Sequence, residues 1–301
     1  MTETRVVTTQ VADGQKPLKI RKRRKLTWKA KLQRYGMGSI AILASIIVFL
    51  LPFLFILFTA GKDRQEASLF AFTPPSQWML WENFIAVLET RNYMVVTAFW
   101  NSIVLTVVAV SIMVILGSMV GYVLQRRKSR WNPLVMLFVL AGLIIPPAVV
   151  PTVWVMQSLE LYGTLIGLIL IEVTFGLAFT VLLIRAFVAA IPKELDEAAI
   201  IDGAGSMRLF FTVIFPLLRG VIVTVIVVQA VTVFNTFVNA LYFLPGEPTV
   251  QLTLYNFLSQ SGNQWNLLFM NILIITIPPL ILYIFFNRQI VAGMTSGAVK
   301  G

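Results

Sequence analysis

The chain has 301 residues, of which 58% are hydrophobic and only 12% are charged. A soluble domain carries roughly 25% charged residues, so this chain has too few polar side chains for a hydrated shell, and its composition predicts folding in a bilayer. The formal net charge is +11 and the chain contains no Cys and no His, which excludes disulfides, thiol chemistry and most metal-dependent or triad enzymes.

The first 37 residues concentrate the basic charge, with 11 Lys and Arg against 2 acids. The basic run 21–25 precedes a long apolar segment, which is typical of a cytoplasmic anchor that contacts anionic membrane lipids. No interleaving of basic and aromatic residues follows, so nucleic-acid binding is not predicted. We expect residues 1–37 to form a basic cytoplasmic tail that is largely disordered, and residues 38–301 to form the membrane domain.

Six charge-poor stretches are long enough to cross a hydrocarbon core about 30 Å thick. Each is too long for a barrel strand of about 10 residues and lacks an alternating pattern, so helices are predicted. The side that holds both termini carries 21 Lys and Arg against 3 on the other side, which predicts cytoplasmic termini. The expected fold is an all-α polytopic membrane protein with six transmembrane helices, at 38–60, 98–124, 133–157, 163–190, 217–243 and 266–287.

Several polar residues lie inside these spans. In the fifth helix, Gln229, Thr232, Asn235, Thr236 and Asn239 fall within about 120° of arc at 100° per residue. Such a face either bonds helices together or lines a path for a hydroxyl-rich solute. Glu172 is an acid well inside the fourth span, so it either bonds a neighbouring helix or belongs to the path. Proline clusters 146–151 and 278–279 predict bends in the third and sixth helices.

The segment 191–216, between the fourth and fifth spans, carries clear helix signals. Pro192 is followed by acids at 194, 196 and 197, which suit the first turn of a short helix. Asp202 and Gly203 then interrupt it, Ser206 is suited to cap a second short helix through residue 211, and Pro216 marks the return to the membrane. These signals alone also fit an ordinary connector that lies on the membrane surface.

The residues of this segment carry a specific pattern. The string EAAIIDG at 197–203, followed by Val213, Phe215 and Pro216, resembles the cytoplasmic EAA loop of ABC importer permeases, with Val and Phe where that pattern has Ile and Leu. The longer string EAAIIDGAG and the C-terminal GAVKG at 297–301 are similar to the carbohydrate branch, and to its smaller maltose-type permease subunit.

The resemblance implies a type I importer permease fold in a bacterial plasma membrane, and it implies partners. These are two ABC ATPase subunits, a second permease subunit, an extracytoplasmic solute-binding protein and a sugar substrate. ATP and Mg would be bound by the ATPase, since the sequence has no G-x-x-x-x-G-K-[ST] loop and the chain is not expected to be an enzyme or to hold a cofactor or metal. The residues implied to couple it to the ATPase are Glu197, Ala198, Ala199, Asp202, Gly203 and Pro216.

Three alternatives to a carbohydrate importer permease stay open at this point. One is an ABC permease for a non-sugar solute, against which the DGA string and the C-terminal motif argue. The second is an ion-coupled secondary transporter, which six helices, one midspan carboxylate and the lack of His make less fitting. The third is an integral-membrane enzyme, which lacks the Cys, His or clustered acids that most such chemistry needs.

Overall fold

The computed structural model describes residues 28–260 and 264–296, all helical or in connections and with no strand in those ranges. The predicted all-α class is confirmed for this part of the chain. Most of the predicted basic tail (1–27) and the motif at 297–301 lie outside the described residues. The helices are α1 (Trp28–Gly61), α2 (Arg64–Ser68), α3 (Leu80–Glu89), α4 (Met94–Arg126), α5 (Asn132–Ile144), α6 (Val149–Ser158), α7 (Leu165–Val188), α8 (Glu194–Ile201), α9 (Ser206–Arg208), α10 (Phe215–Leu217), α11 (Arg219–Phe234), α12 (Val238–Phe243), α13 (Val250–Gln260) and α14 (Trp265–Ser296), with a π-helical segment (Leu209–Ile214) between α9 and α10.

Four helical segments are long and apolar enough to cross a membrane: Gly38–Gly61, Met94–Arg126, Leu165–Val188 and Trp265–Asn287. Two further pairs of helices reach that length only together, and each pair is bent. The described residues therefore provide four continuous candidate spans, or up to six if each bent pair crosses the membrane once.

The chain divides into two units at Phe53. In the first unit, the described side chains from 38 to 53 are all exposed although most of them are apolar. This is the composition of a helix surface that faces lipid or another hydrophobic helix.

The second unit is built around the pairing of α4 with α7, and α11 packs against both α4 and α14. Small residues allow the close approach of α4 and α7, because a Cβ added at Gly117 would collide with the Thr180 side chain. Met113, Ile184 and Val225 from these three helices are fully buried in one hydrophobic cluster. This three-helix core positions both candidate sites described below.

The third predicted span is broken. The bend predicted at the proline cluster 146–151 is confirmed, but it is a full interruption of the helix predicted over 133–157, because α5 ends at Ile144 and α6 begins at Val149 at an angle of 118° to it. Ile145 is extended (φ −79°, ψ 123°), as expected for a residue before proline, and neither Pro146 nor Pro147 can donate a helical hydrogen bond. The proline pair in the sixth span has no such effect, since α14 runs through Pro278 and Pro279.

The fifth predicted span is also interrupted. The expected helix 217–243 ends at Phe234 and resumes only at Val238, as α12. Asn235 donates its side-chain Nδ2 to the Val231 carbonyl at 2.8 Å, which is the local competition for backbone groups that favours helix ends. At its other end, α11 meets the segment Ser206–Leu217 at 77°, so the change of direction falls just after the predicted Pro216.

Candidate functional site

The segment 191–216 forms the helix–turn–helix element that its sequence predicts. Helix α8 has Glu194, Asp196 and Glu197 in its first turn, where acids complement the helix dipole. It ends at Ile201 with Asp202 at the C-cap position, and Gly203 adopts a left-handed conformation with φ of +81°, which favours glycine. The predicted start and end of this helix are confirmed.

Part of the EAA motif lies on an exposed face of this loop. Glu197 and Ala198 are exposed, whereas Ala199 is half-buried against the hydrophobic core. Large apolar side chains are exposed beside them, with Ile201 85% and Met207 63% accessible. An exposed apolar patch of this kind, rimmed by acids, is typical of a surface that contacts a partner.

Asp196 binds the loop to the end of α4, a contact that the sequence analysis missed. Its Oδ2 lies 2.7 Å from Arg126 Nε, with side chains only 12% and 8% exposed. Tyr122 donates its hydroxyl to Asp196 Oδ1 at 2.9 Å, and Arg126 Nη2 donates to the Ile191 carbonyl at 2.8 Å. The loop is therefore fastened to a core helix at the residue directly before Glu197. Tyr122 and Arg126 are four positions apart at the end of an apolar helix, so they lie on one helix face, and this spacing was the sequence feature that could have indicated a shared polar partner.

The second half of the loop differs from the prediction. Ser206 was expected to cap a helix but is its first residue, with Gly205 at the cap position and no side-chain cap bond. The Ser206 hydroxyl instead accepts a hydrogen bond from Arg127 Nη2 at 3.3 Å. The following turns widen into the π-helical segment before exposed Pro216.

A cavity of about 320 Å³ lies between α7, α11 and α12. It contains four of the six polar residues predicted for the solute path, Glu172, Gln229, Thr232 and Asn239. Pockets that bind small molecules combine an apolar lining with a few placed polar groups. The other lining residues have that apolar character, and they are Phe175, Gly176, Phe179 and Val228.

Glu172 joins the two sides of the break between α11 and α12. Its Oε1 accepts a hydrogen bond from Thr236 Oγ1 at 2.7 Å and another from Asn239 Nδ2 at 2.9 Å. The residue is 4% exposed, and buried carboxylates require such partners. The bond to a neighbouring helix is therefore present, and Glu172 also lines the cavity, so a place on the solute path stays a prediction.

The other polar residues predicted on the fifth span, Gln229, Thr232 and Asn235, bond to different parts of the structure. Gln229 donates Nε2 to the Gly176 carbonyl at 2.9 Å and to Thr180 Oγ1 at 3.2 Å, which ties α11 to α7. Thr232 is exposed and donates only to its own helix, at the Val228 carbonyl. Asn235 lies away from the cavity and accepts a hydrogen bond from Gln251 Nε2 at 2.8 Å. The expected single polar face is thus divided by the helix break.

Two aromatic residues of the cavity were missed by the sequence analysis. Phe175 and Phe179 lie three and seven positions after Glu172, so the three side chains share one face of α7. That spacing was the available signal. Across the described residues, no group of three or more acids is arranged to hold a metal ion.

Long apolar helices around a cavity with a carboxylate and amides, together with an exposed loop beside them, define a membrane permease. The chain belongs to the family of binding-protein-dependent transport system inner membrane components, whose profile matches residues 113–296. That range includes both the cavity and the loop 191–216. Membership sets aside the enzyme and the ion-coupled secondary transporter.

Curated relatives cover nearly the whole chain. It is 30% identical to the melibiose/raffinose/stachyose import permease protein MelC of Bacillus subtilis, over 88% of this chain and 98% of the relative. It is also 30% identical to the diacetylchitobiose uptake system permease protein NgcG of Streptomyces coelicolor, over 87% of each chain.

A solved structure shares the fold. The crystal structure of a bacterial ABC transporter that imports the acidic polysaccharide alginate contains a chain with a TM-score of 0.73 and 20% identity, which covers 88% of this chain and 99% of that one. The ABC permease fold is therefore that of this chain.

Proposed function

We propose that the chain is one membrane-spanning subunit of an ATP-driven importer for a carbohydrate, which moves its solute by alternating access. The observation that carries this proposal is the chemistry of the cavity, whose lining combines one carboxylate and two amides with the rings of Phe175 and Phe179. A sugar presents hydroxyl groups at its edge and apolar C–H groups on its faces, which suits both kinds of lining. Both relatives named above are, by their names, permeases for oligosaccharides.

The topology follows from combining helices with charge. If each bent helix pair crosses once, the chain has six spans, and an even number places both termini on one side. The excess of Lys and Arg on that side favours the cytoplasm of a bacterial plasma membrane. Residues 1–37 then form a basic cytoplasmic tail near anionic lipid, and residues 38–301 form the transport domain.

The loop 191–216 is the proposed docking element for the ATPase. Exposed Glu197 and Ala198, with the apolar side chains of Ile201 and Met207, form a surface that suits a groove on another protein. Glu197 is expected to pair with a basic or donor group of that groove. Ala199, Asp202, Gly203 and Pro216 shape the element, while Asp196 transmits its movement to α4 through Arg126.

The full importer would contain two ATPase subunits, which bind ATP and Mg, a second permease subunit and an extracytoplasmic solute-binding protein. One structure of the alginate transporter contains a periplasmic protein bound to an alginate pentasaccharide, which supports a solute-binding partner here.

Affinity purification tests this assembly. The tagged chain is solubilised gently from its native membranes, and co-purifying proteins are identified by mass spectrometry for the wild type, Glu197→Lys and Glu194→Lys. We expect an ATPase and a second permease with the wild type, loss of the ATPase with Glu197→Lys, and its retention with Glu194→Lys, which alters an exposed acid of the same helix outside the motif. A wild-type chain that purifies alone would contradict the proposal.

A further inference from the structure

Hydrogen-bond donors and acceptors are unevenly used around the cavity. Gln229 donates its amide nitrogen to the Gly176 carbonyl and the Thr180 hydroxyl. Thr232 donates its hydroxyl hydrogen to the Val228 carbonyl. Asn239 donates to Glu172. Most of the polar hydrogens that line the cavity are therefore already committed to the protein itself.

The acceptors are left unused. Glu172 Oε1 takes two hydrogen bonds, but within the described residues Oε2 accepts none. The amide oxygens of Gln229 and Asn239 likewise accept no hydrogen bond from the described part of the chain. Because Glu172, Gln229 and Asn239 line the cavity, these three oxygens can each accept a hydrogen bond from a donor that enters it.

The charge of the cavity lining also favours a solute that donates hydrogen bonds over an acidic one. Glu172 is the one ionisable residue among the eight that line it, so in this part of the chain no Lys or Arg is present there to attract an anion. A solute carboxylate brings only acceptors, and the cavity lining offers it neither a basic partner nor many free donors, which makes its desolvation unfavourable.

We propose that the Glu172 cavity binds the hydroxyl or amino groups of an uncharged or amino-bearing sugar and excludes acidic sugars such as uronates. This inference rests on the importer function proposed above and adds the class of sugar. Glu172 is the specificity residue, and Phe175 and Phe179 face the apolar side of the ring. The alginate importer shares the fold but moves an acidic polysaccharide, so the fold does not set the charge preference.

Thiol labelling tests this proposal without knowing the sugar. The chain has no Cys, so Thr232→Cys places a single thiol in the cavity. Its reaction rates with cationic (2-trimethylammonium)ethyl methanethiosulfonate and anionic 2-sulfonatoethyl methanethiosulfonate are measured in native membranes, by the mass increase of the tagged chain. Ser158→Cys, at an exposed residue outside the cavity, gives the reference ratio of the two rates.

We expect the cation-to-anion ratio at Thr232→Cys to exceed the Ser158→Cys reference by about tenfold or more, since two unit charges a few ångströms apart interact by a few kcal/mol at an effective dielectric constant near 20. Adding Glu172→Gln, which keeps an acceptor for Thr236 and Asn239, should return the ratio to the reference. Equal ratios with and without Glu172→Gln would overturn the proposal.

Two further measurements distinguish a failure of the inference about the cavity from a failure of the proposed importer function. Asn239→Cys provides a second cavity thiol, and failure of both cavity thiols to react with either reagent would also overturn the proposal, because the cavity would not admit a polar solute. Co-purification of the ATPase with the wild-type chain is scored in parallel. If the ATPase is recovered and the ratio is unchanged by Glu172→Gln, this inference fails while the importer function stands. If the wild-type chain recovers no ATPase, the importer function fails.

Discussion

The loop 191–216 and the Glu172 cavity are built in opposite ways. The loop takes its chemistry from one continuous stretch of sequence, in which acids begin a helix and a glycine with φ of +81° ends it. The cavity takes its polar groups from three helices, and Glu172 meets Thr236 and Asn239 across 64 and 67 positions of sequence. A contiguous site is recognised by local rules, whereas a distributed site depends on how the helices pack.

The loop and the cavity are also connected through the packed helices α4 and α7. Helix α4 holds the loop at its end through Tyr122 and Arg126, and it packs along α7, which carries Glu172. We propose that a displacement of the loop would reach the cavity through this pair of packed helices. Coupling by a packed element of this kind requires that the fastening at Asp196 be intact.

The largest expected effect comes from breaking that fastening. Asp196→Ala leaves Arg126 without its buried partner, and removing one member of a buried ion pair costs about 3–5 kcal/mol. Hydrogen exchange of the amides between 191 and 208 should accelerate by two orders of magnitude or more. The matched control is Glu194→Ala, at an exposed acid of the same helix. Equal protection in both variants would show that the ion pair does not hold the loop.

The next effect concerns the packing of α4 against α7. Gly117→Ala places a methyl group against Thr180, a β-branched side chain with little freedom to move, and overpacking of this kind costs about 1–3 kcal/mol. The thermal denaturation midpoint of the purified complex should fall. Gly220→Ala is the control, because a Cβ there meets no atom within 4 Å. A midpoint unchanged by Gly117→Ala would mean that α4 and α7 tolerate a larger separation.

A smaller effect is expected at the turn of the loop. Gly203→Leu imposes a left-handed conformation on a non-glycine residue at about 1–2 kcal/mol, so the turn should open and uncouple uptake from ATP hydrolysis. Gly205 also has open space around it but an ordinary φ of −66°, so Gly205→Leu tests side-chain size alone. The number of solute molecules transported per ATP hydrolysed is measured for both variants. A normal ratio in Gly203→Leu would refute the role of the turn.

The smallest effect separates the two asparagines of the fifth span. Asn239→Leu removes a hydrogen bond to Glu172 and a cavity group, at about 0.6 kcal/mol on average and up to about 1.7 in membrane helices. The uptake rate should fall several-fold. Asn235→Leu, outside the cavity, should change it less, because its partners are Val231 and Gln251. Equal effects of both substitutions would indicate that these residues only hold helices together.

The sequence predicted what depends on local chemistry. The helical class, the start of α8 and the turn at Gly203 follow from composition, caps and backbone preference. The proline cluster predicted a bend near Ile145, although not a full interruption of the helix. The break at Asn235 was not predicted, because hydropathy is the same for a bent pair as for a straight helix. Asp196 was recognised only as a first-turn acid, since its pairing with Arg126 spans 70 positions of sequence. Such contacts are set by tertiary packing, and the i, i+4 spacing of Tyr122 and Arg126 does not by itself identify Asp196 as their partner.

ATP-dependent uptake of neutral sugars is the decisive measurement for a carbohydrate importer permease. Membrane vesicles that contain the complete transporter are loaded with ATP and supplied with radiolabelled raffinose, N,N′-diacetylchitobiose and maltotriose, each with its solute-binding protein fraction. For a carbohydrate importer driven by ATP, we expect accumulation of at least one of these neutral sugars that requires ATP hydrolysis and persists when a protonophore removes the proton gradient at constant ATP. Accumulation driven by the proton gradient alone, or no accumulation of any of the three sugars, would contradict it.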